Sequence, residues 1–92
     1  MIFRPVCVFV VLCWAGSASA QEAFRVSGLP PGDTLSIRET PDAEAVALGQ
    51  APSGARLRGF GCTADTPSRL TWCRVKAGPI LGWARRRYLA PD

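Results

Sequence analysis

The sequence contains no histidine among its 92 residues. That absence removes Ser-His-Asp and Cys-His nucleophile pairs, His-x-x-x-His metal sites and the ordinary imidazole proton shuttle, and with them most hydrolase mechanisms. Helical patterning is missing as well: beyond residue 20, no stretch of twelve residues with helical apolar spacing is free of proline and glycine. The length admits one small domain at most. No enzymatic activity, cofactor or metal site is expected from these residues, and what they describe instead is a compartment, a fold and a class of binding function.

The N-terminus reads as a targeting segment. Met1 to Pro5 carries one positive charge at Arg4, Val6 to Trp14 is an unbroken apolar run of nine, and Ala15 to Ala20 is small throughout. The segment ends in Ala18-Ser19-Ala20, a pattern that signal peptidase accepts. A spanning helix needs about 20 apolar residues, and this run falls short of that. Cys13 is preceded by Leu12 and followed by Trp14, which does not suit lipoprotein processing. Residues 1–20 are therefore expected to be a signal peptide, leaving 21–92 as the mature, secreted and periplasmic chain with no stable membrane span.

Removing that leader changes the composition. The mature chain has 29 apolar residues in 72, and its ten Lys and Arg against seven Asp and Glu give +3. So small an excess does not suggest nucleic-acid binding. Cys7 and Cys13 leave with the leader, while Cys62 and Cys73 enter an oxidising compartment, where an isolated pair in a small domain most often forms a disulfide. Zinc is the competing use, but two thiols without histidine do not complete a structural tetrahedral site. The spacing is not that of a Cys-x-x-Cys redox motif. A domain of this size hides only about 60% of the surface its unfolded chain exposes, so a covalent tie matters to it.

Short apolar runs cut by turn residues predict an all-β fold. Phe24 to Val26 is a first strand, closed by Ser27-Gly28 and the Pro30 to Asp33 turn cluster. Thr34 to Arg38 alternates, with Leu35 and Ile37 on one face, and Thr40-Pro41-Asp42 stops it. Ala43 to Leu48 is expected to be a loop with a short strand. Arg56 to Cys62, Thr71 to Lys76 and Ile80 to Ala84 supply three more strands, with Gly78-Pro79 as a tight turn. Five or six short strands in about seventy residues suit a small barrel.

The residues also resemble a family. Leu35-Ser36-Ile37-Arg38-Glu39-Thr40-Pro41, then Ala47-Leu48-Gly49, Trp72-Cys73-Arg74-Val75, and Gly82-Trp83-Ala84 with Tyr88-Leu89 are similar, in order and spacing, to the motifs of bacterial SH3 (SH3b) domains. The resemblance covers Phe24 to Leu89. Ser36 stands where the family favours asparagine, and Ala84 where it favours valine. The resemblance implies an SH3-like barrel and a module that recognises cell-wall peptide or a protein partner. The Cys62 and Cys73 pair flanking a hairpin loop resembles a variant found in secreted members.

Strand alternation assigns faces. Arg38 lies opposite to Leu35 and Ile37, toward solvent or a groove. If Val75 points inward, Cys73 shares its face while Trp72, Arg74 and Lys76 point outward, where the indole either stacks with the neighbouring cations or binds a ligand. Trp83, after Gly82 and its close backbone approach, reads as partly buried structure. Truncating Trp72 is then expected to cost binding, and truncating Trp83 to cost stability. Leu57 facing inward would turn Cys62 outward, away from Cys73, so a β-bulge is predicted at Gly59 or Gly61. Arg85-Arg86-Arg87 reads as a solvated turn with a short 3₁₀ segment, or as a patch for an anionic ligand.

Candidate ligand-binding residues are Arg38, Trp72, Arg74 and Tyr88, in a shallow groove bordered by the Glu39 to Ala47 loop, with Arg38 or Arg74 fixing a carboxylate or carbonyl. Two functions remain open. One is an envelope adaptor that binds peptidoglycan or a protein. The other is a structural or modulatory periplasmic protein, inhibitor-like, that binds no wall material.

Overall fold

The computed structural model describes residues 22–92; the expected leader and its cleavage site lie outside the described residues. Seven strands follow one another: β1 (Glu22–Val26), β2 (Thr34–Arg38), β3 (Ala47–Pro52), β4 (Arg56–Thr63), β5 (Trp72–Ala77), β6 (Ile80–Arg85) and β7 (Leu89–Pro91), with a 3₁₀ turn at Arg86–Tyr88 before β7. They form one sheet in the order β3-β2-β6-β5-β4-β1-β7. All the pairs are antiparallel.

A flat sheet of seven strands would be roughly 29 Å wide, at about 4.8 Å between neighbours. Its edges could not share a core. Yet Ala51 on β3 and Leu89 on β7 belong to the same buried cluster as Phe24, Val26, Leu35, Ile37, Leu57, Cys73, Val75 and Ala84. The sheet is therefore rolled into a barrel whose inner face takes alternate residues from every strand, as period-two patterning dictates.

Two of the seven strands were not legible as such. Strand β3 begins at Ala47 and continues through Gly49 to Pro52, four residues beyond the stretch expected to hold it. Glycine and proline are tolerated because β3 is an edge strand, with Pro52 at its end opposite Thr34. Strand β7 exists because β1 offers it a partner, pairing Phe24, Arg25 and Val26 with Pro91, Ala90 and Leu89.

The predicted bulge is present. Gly59 pairs with Val75 and Cys62 with Cys73, so Phe60 and Gly61 together face Arg74 alone. Gly61 holds φ at +117°, a value that side chains with a Cβ rarely adopt. The extra residue reverses the parity of β4 and brings Cys62 directly across from Cys73, to which it is disulfide-bonded. The bridge ties the base of the 64–71 loop, within which the Arg69 amide donates to Thr66 O and the Thr66 hydroxyl to Leu70 O, while Thr71 O at its end accepts from the Arg86 amide.

Cross-linking residues 11 apart in sequence should contribute about 2.5 to 3 kcal/mol through the unfolded chain. Replacing both Cys62 and Cys73 with serine is expected to lower the unfolding free energy by about 2 to 5 kcal/mol in a urea titration, as loss of a native bridge in a small domain does. The oxidised, denatured protein lacking residues 1–20 should show no free thiol to Ellman's reagent. Two reactive thiols per chain would contradict the bridge.

Candidate functional site

The seam between β2 and β6 is joined unevenly. The two strands share one register pair, Arg38 opposite Trp83. There the backbones approach so closely that a Cβ on Gly82 would stand 2.7 Å from Arg38 O and 2.8 Å from Ile37 Cγ2. In an antiparallel pair, residues before Arg38 on β2 face residues after Trp83 on β6, and on that side the strands part. A cavity of about 240 Å³ occupies the gap, lined on the β2 side by Thr34, Leu35, Ser36 and Arg38 and on the other by Arg85, Trp72 and Tyr88. Leu29, Pro30, Asp33 and Ala43 complete it.

Three of the four candidate residues meet there: Arg38, Trp72 and Tyr88. Arg74 does not. It is exposed on the outer sheet face opposite Trp83, in a row with Arg38 and beside Lys76, Phe60 and Leu81. Of the 39–47 loop only Ala43 reaches the groove, because the loop is folded on itself. The Glu39 amide donates to Val46 O, the Ala45 amide to Asp42 O, and the Glu44 amide to the Asp42 carboxylate. Arg38 anchors this loop by donating from Nη1 to Ala45 O at 2.9 Å.

Trp72 departs from expectation. Its parity is the outward one, shared with Arg74 and Lys76, and it stands apart from the core cluster. It is nevertheless only 1% exposed. What covers it comes from elsewhere in the chain: Arg85, its register partner on β6, has its guanidinium 5.9 Å from the ring centroid. The cation over the indole is thus Arg85 rather than Arg74 or Lys76. Trp83 is half-buried on the outer face. Trp83 is thus partly buried, as expected, whereas the exposure expected of Trp72 is overturned, since the cover that Arg85 supplies, not alternation, decides burial there.

The Arg85-Arg86-Arg87 run is neither a plain solvated turn nor one patch. It does form the expected 3₁₀ turn, over Arg86–Tyr88. Each guanidinium lies over a different ring: Arg85 over Trp72, Arg86 over Phe24 at 5.5 Å and Arg87 over Tyr88 at 5.2 Å. Arg86 also donates to Leu89 O. The role of Arg85 in the groove was missed in the sequence; the one available signal was its place two residues after Trp83, on the strand beside Trp72.

The groove holds one unusual polar group. Trp72 Nε1 is buried and has no hydrogen-bond partner among the described residues. A buried donor left unpaired costs about 1 to 3 kcal/mol. Such a group in a native fold calls for an explanation.

A model of the bacterial SH3 domain family matches residues 25–90. The chain belongs to that family. No curated protein and no solved structure matches it at a significant level. Bacterial SH3 domains are binding modules, generally non-catalytic, whose partners are cell-wall material or proteins. In this SH3b domain the motif residues named above lie at structural positions: Leu35 and Ile37 inside the barrel, Gly82 at the pinch and Trp72 beneath the groove. Among the described residues no helix is long and apolar enough to cross a membrane.

Trp72→Ala is expected to destabilise the domain by about 3 to 5 kcal/mol, as truncation of a buried Trp does. Trp83→Ala should cost less, about 1 to 2 kcal/mol, because its ring is only partly buried. Urea unfolding of both variants checks the order. A larger loss for Trp83→Ala would contradict the burial assigned here.

Proposed function

We propose that this chain is an exported, non-enzymatic binding module of the cell envelope whose β2/β6 groove receives an extended peptide, either wall peptide or a segment of an envelope protein. The observation that carries this reading is the meeting of Arg38, Trp72 and Tyr88 in one open cavity beside the barrel pinch. Aromatic rings and guanidinium groups are the side chains that most often anchor a ligand, since they bury much area and offer directed donors. Family membership supports the binding role, and the leader pattern of residues 1–20 supports export to an oxidising periplasm, where the Cys62–Cys73 bridge is stable.

Two measurements test this reading. The exported product should have the mass of a chain beginning at Gln21; a mass that includes Met1 to Ala20 would contradict processing after the leader. The purified domain should sediment with isolated peptidoglycan and be released by soluble wall peptides. If it stays in the supernatant and captures no envelope protein through the groove, the structural or modulatory alternative replaces the adaptor reading.

A further inference from the structure

The polar groups of the groove are unevenly committed. The Thr34 and Ser36 hydroxyls both donate to Gln50 Oε1 on β3, outside the groove lining. Arg38 gives Nη1 to Ala45 O. Arg85 makes no ion pair or side-chain hydrogen bond among the described residues, where both ion pairs belong to Asp92, with Arg25 and Arg56. Trp72 Nε1 has no partner among the described residues. Against these donors stands one carboxylate, Asp33, which leaves the lining with a net charge of +1.

A groove rich in unspent donors selects a ligand that brings acceptors. A main-chain amide brings one acceptor and one donor, whereas a carboxylate brings two acceptor oxygens with four lone-pair sites and the matching charge. Resting on the peptide-groove reading, we propose that the groove is specific for a peptide segment bearing a free carboxylate, held between Arg85 on β6 and Arg38 on β2. Trp72 Nε1–H donates to the same carboxylate or to the carbonyl next to it. The N–H is covered in the empty groove, and Arg85, which lies over the indole, moves toward the carboxylate as the N–H is uncovered. Asp33 repels the carboxylate from its own end of the groove and so orients the segment. No covalent step is involved.

The chemistry is shared by a chain terminus and by an acidic side chain, and three probes separate them: acetyl-trialanine free acid, its C-terminal amide, and acetyl-Ala-Glu-Ala amide. Each is titrated into ¹⁵N-labelled protein comprising residues 21–92, which contain every member of the buried core. The readouts are the backbone amides of the groove and the two indole N–H resonances, distinguished with Trp83→Phe. The free acid should bind at least about tenfold tighter than the amide, the margin of a charge-assisted hydrogen bond. Its addition should move the Trp72 indole resonance downfield, and its affinity should fall with added salt. Binding of the glutamyl probe at the same resonances would assign the site to side-chain carboxylates as well; silence would restrict it to chain ends. Arg85→Gln, which keeps the side chain's length, should bring the free acid down to the level of the amide.

Equal binding of acid and amide would overturn carboxylate selection while leaving the peptide groove standing. Failure of all three probes, at millimolar concentration and low salt, to move any groove resonance would overturn the peptide-groove reading itself. Tight acid binding that leaves the Trp72 indole unmoved and survives Arg85→Gln would overturn the placement of the carboxylate.

Discussion

The barrel depends on the approach of β6 to β2 at Gly82. The β2/β3 hairpin reaches the other five strands through β6, and only while it is attached there do its Leu35, Ile37 and Ala51 share their core. The sole register pair across the β2/β6 seam joins Arg38 to Trp83, and the missing side chain at the residue before Trp83 is what admits the Arg38 carbonyl and the Ile37 methyl. Because the strands are pinched at one point and twist, they must diverge beyond it. The groove is that divergence. Fold and candidate site are thus two consequences of one close contact: the same glycine that joins the β2/β3 hairpin to the rest of the sheet fixes where the seam stays open.

The second constraint is covalent. The bulge at Phe60-Gly61 and the Cys62–Cys73 bond belong together, since without the extra residue the two cysteines would lie on opposite faces. The bond anchors the start of β5 beside Trp72, immediately under the groove. In a domain whose core is small for its surface, holding that corner by a bridge leaves the groove lining free to carry polar groups that add little to stability, such as the unpaired Trp72 N–H and the Arg85 guanidinium.

Legibility in the sequence followed the range of the interactions. Alternation placed Leu35, Ile37, Val75 and Cys73 inward, and the parity conflict between Leu57 and Cys62 located the bulge, because both depend only on neighbours along or directly across a strand. The motifs indicated the family, and the family model matches nearly all of the described chain. Strand β7 was hidden because its partner β1 is distant in sequence, and the full length of β3 because Gly49 and Pro52 interrupt its pattern. Trp72 was read with the correct parity and the wrong exposure. Its cover is supplied from the neighbouring strand by Arg85, thirteen positions further on, and alternation along β5 alone does not carry that information. The arginine run misled for a related reason: Arg85 and Arg86 lie over rings from earlier strands, Trp72 and Phe24, and only Arg87 lies over its neighbour Tyr88.

Thermal unfolding of Gly82→Ala tests the central claim most directly. The added methyl must displace the Arg38 carbonyl or the Ile37 side chain, an overpacking of about 1 to 3 kcal/mol, so the melting temperature should fall by roughly 5 °C or more for a domain of this size. The Trp72 indole resonance should shift with it, because the groove is held by the same contact. A melting temperature unchanged within error, with that resonance in place, would contradict the account.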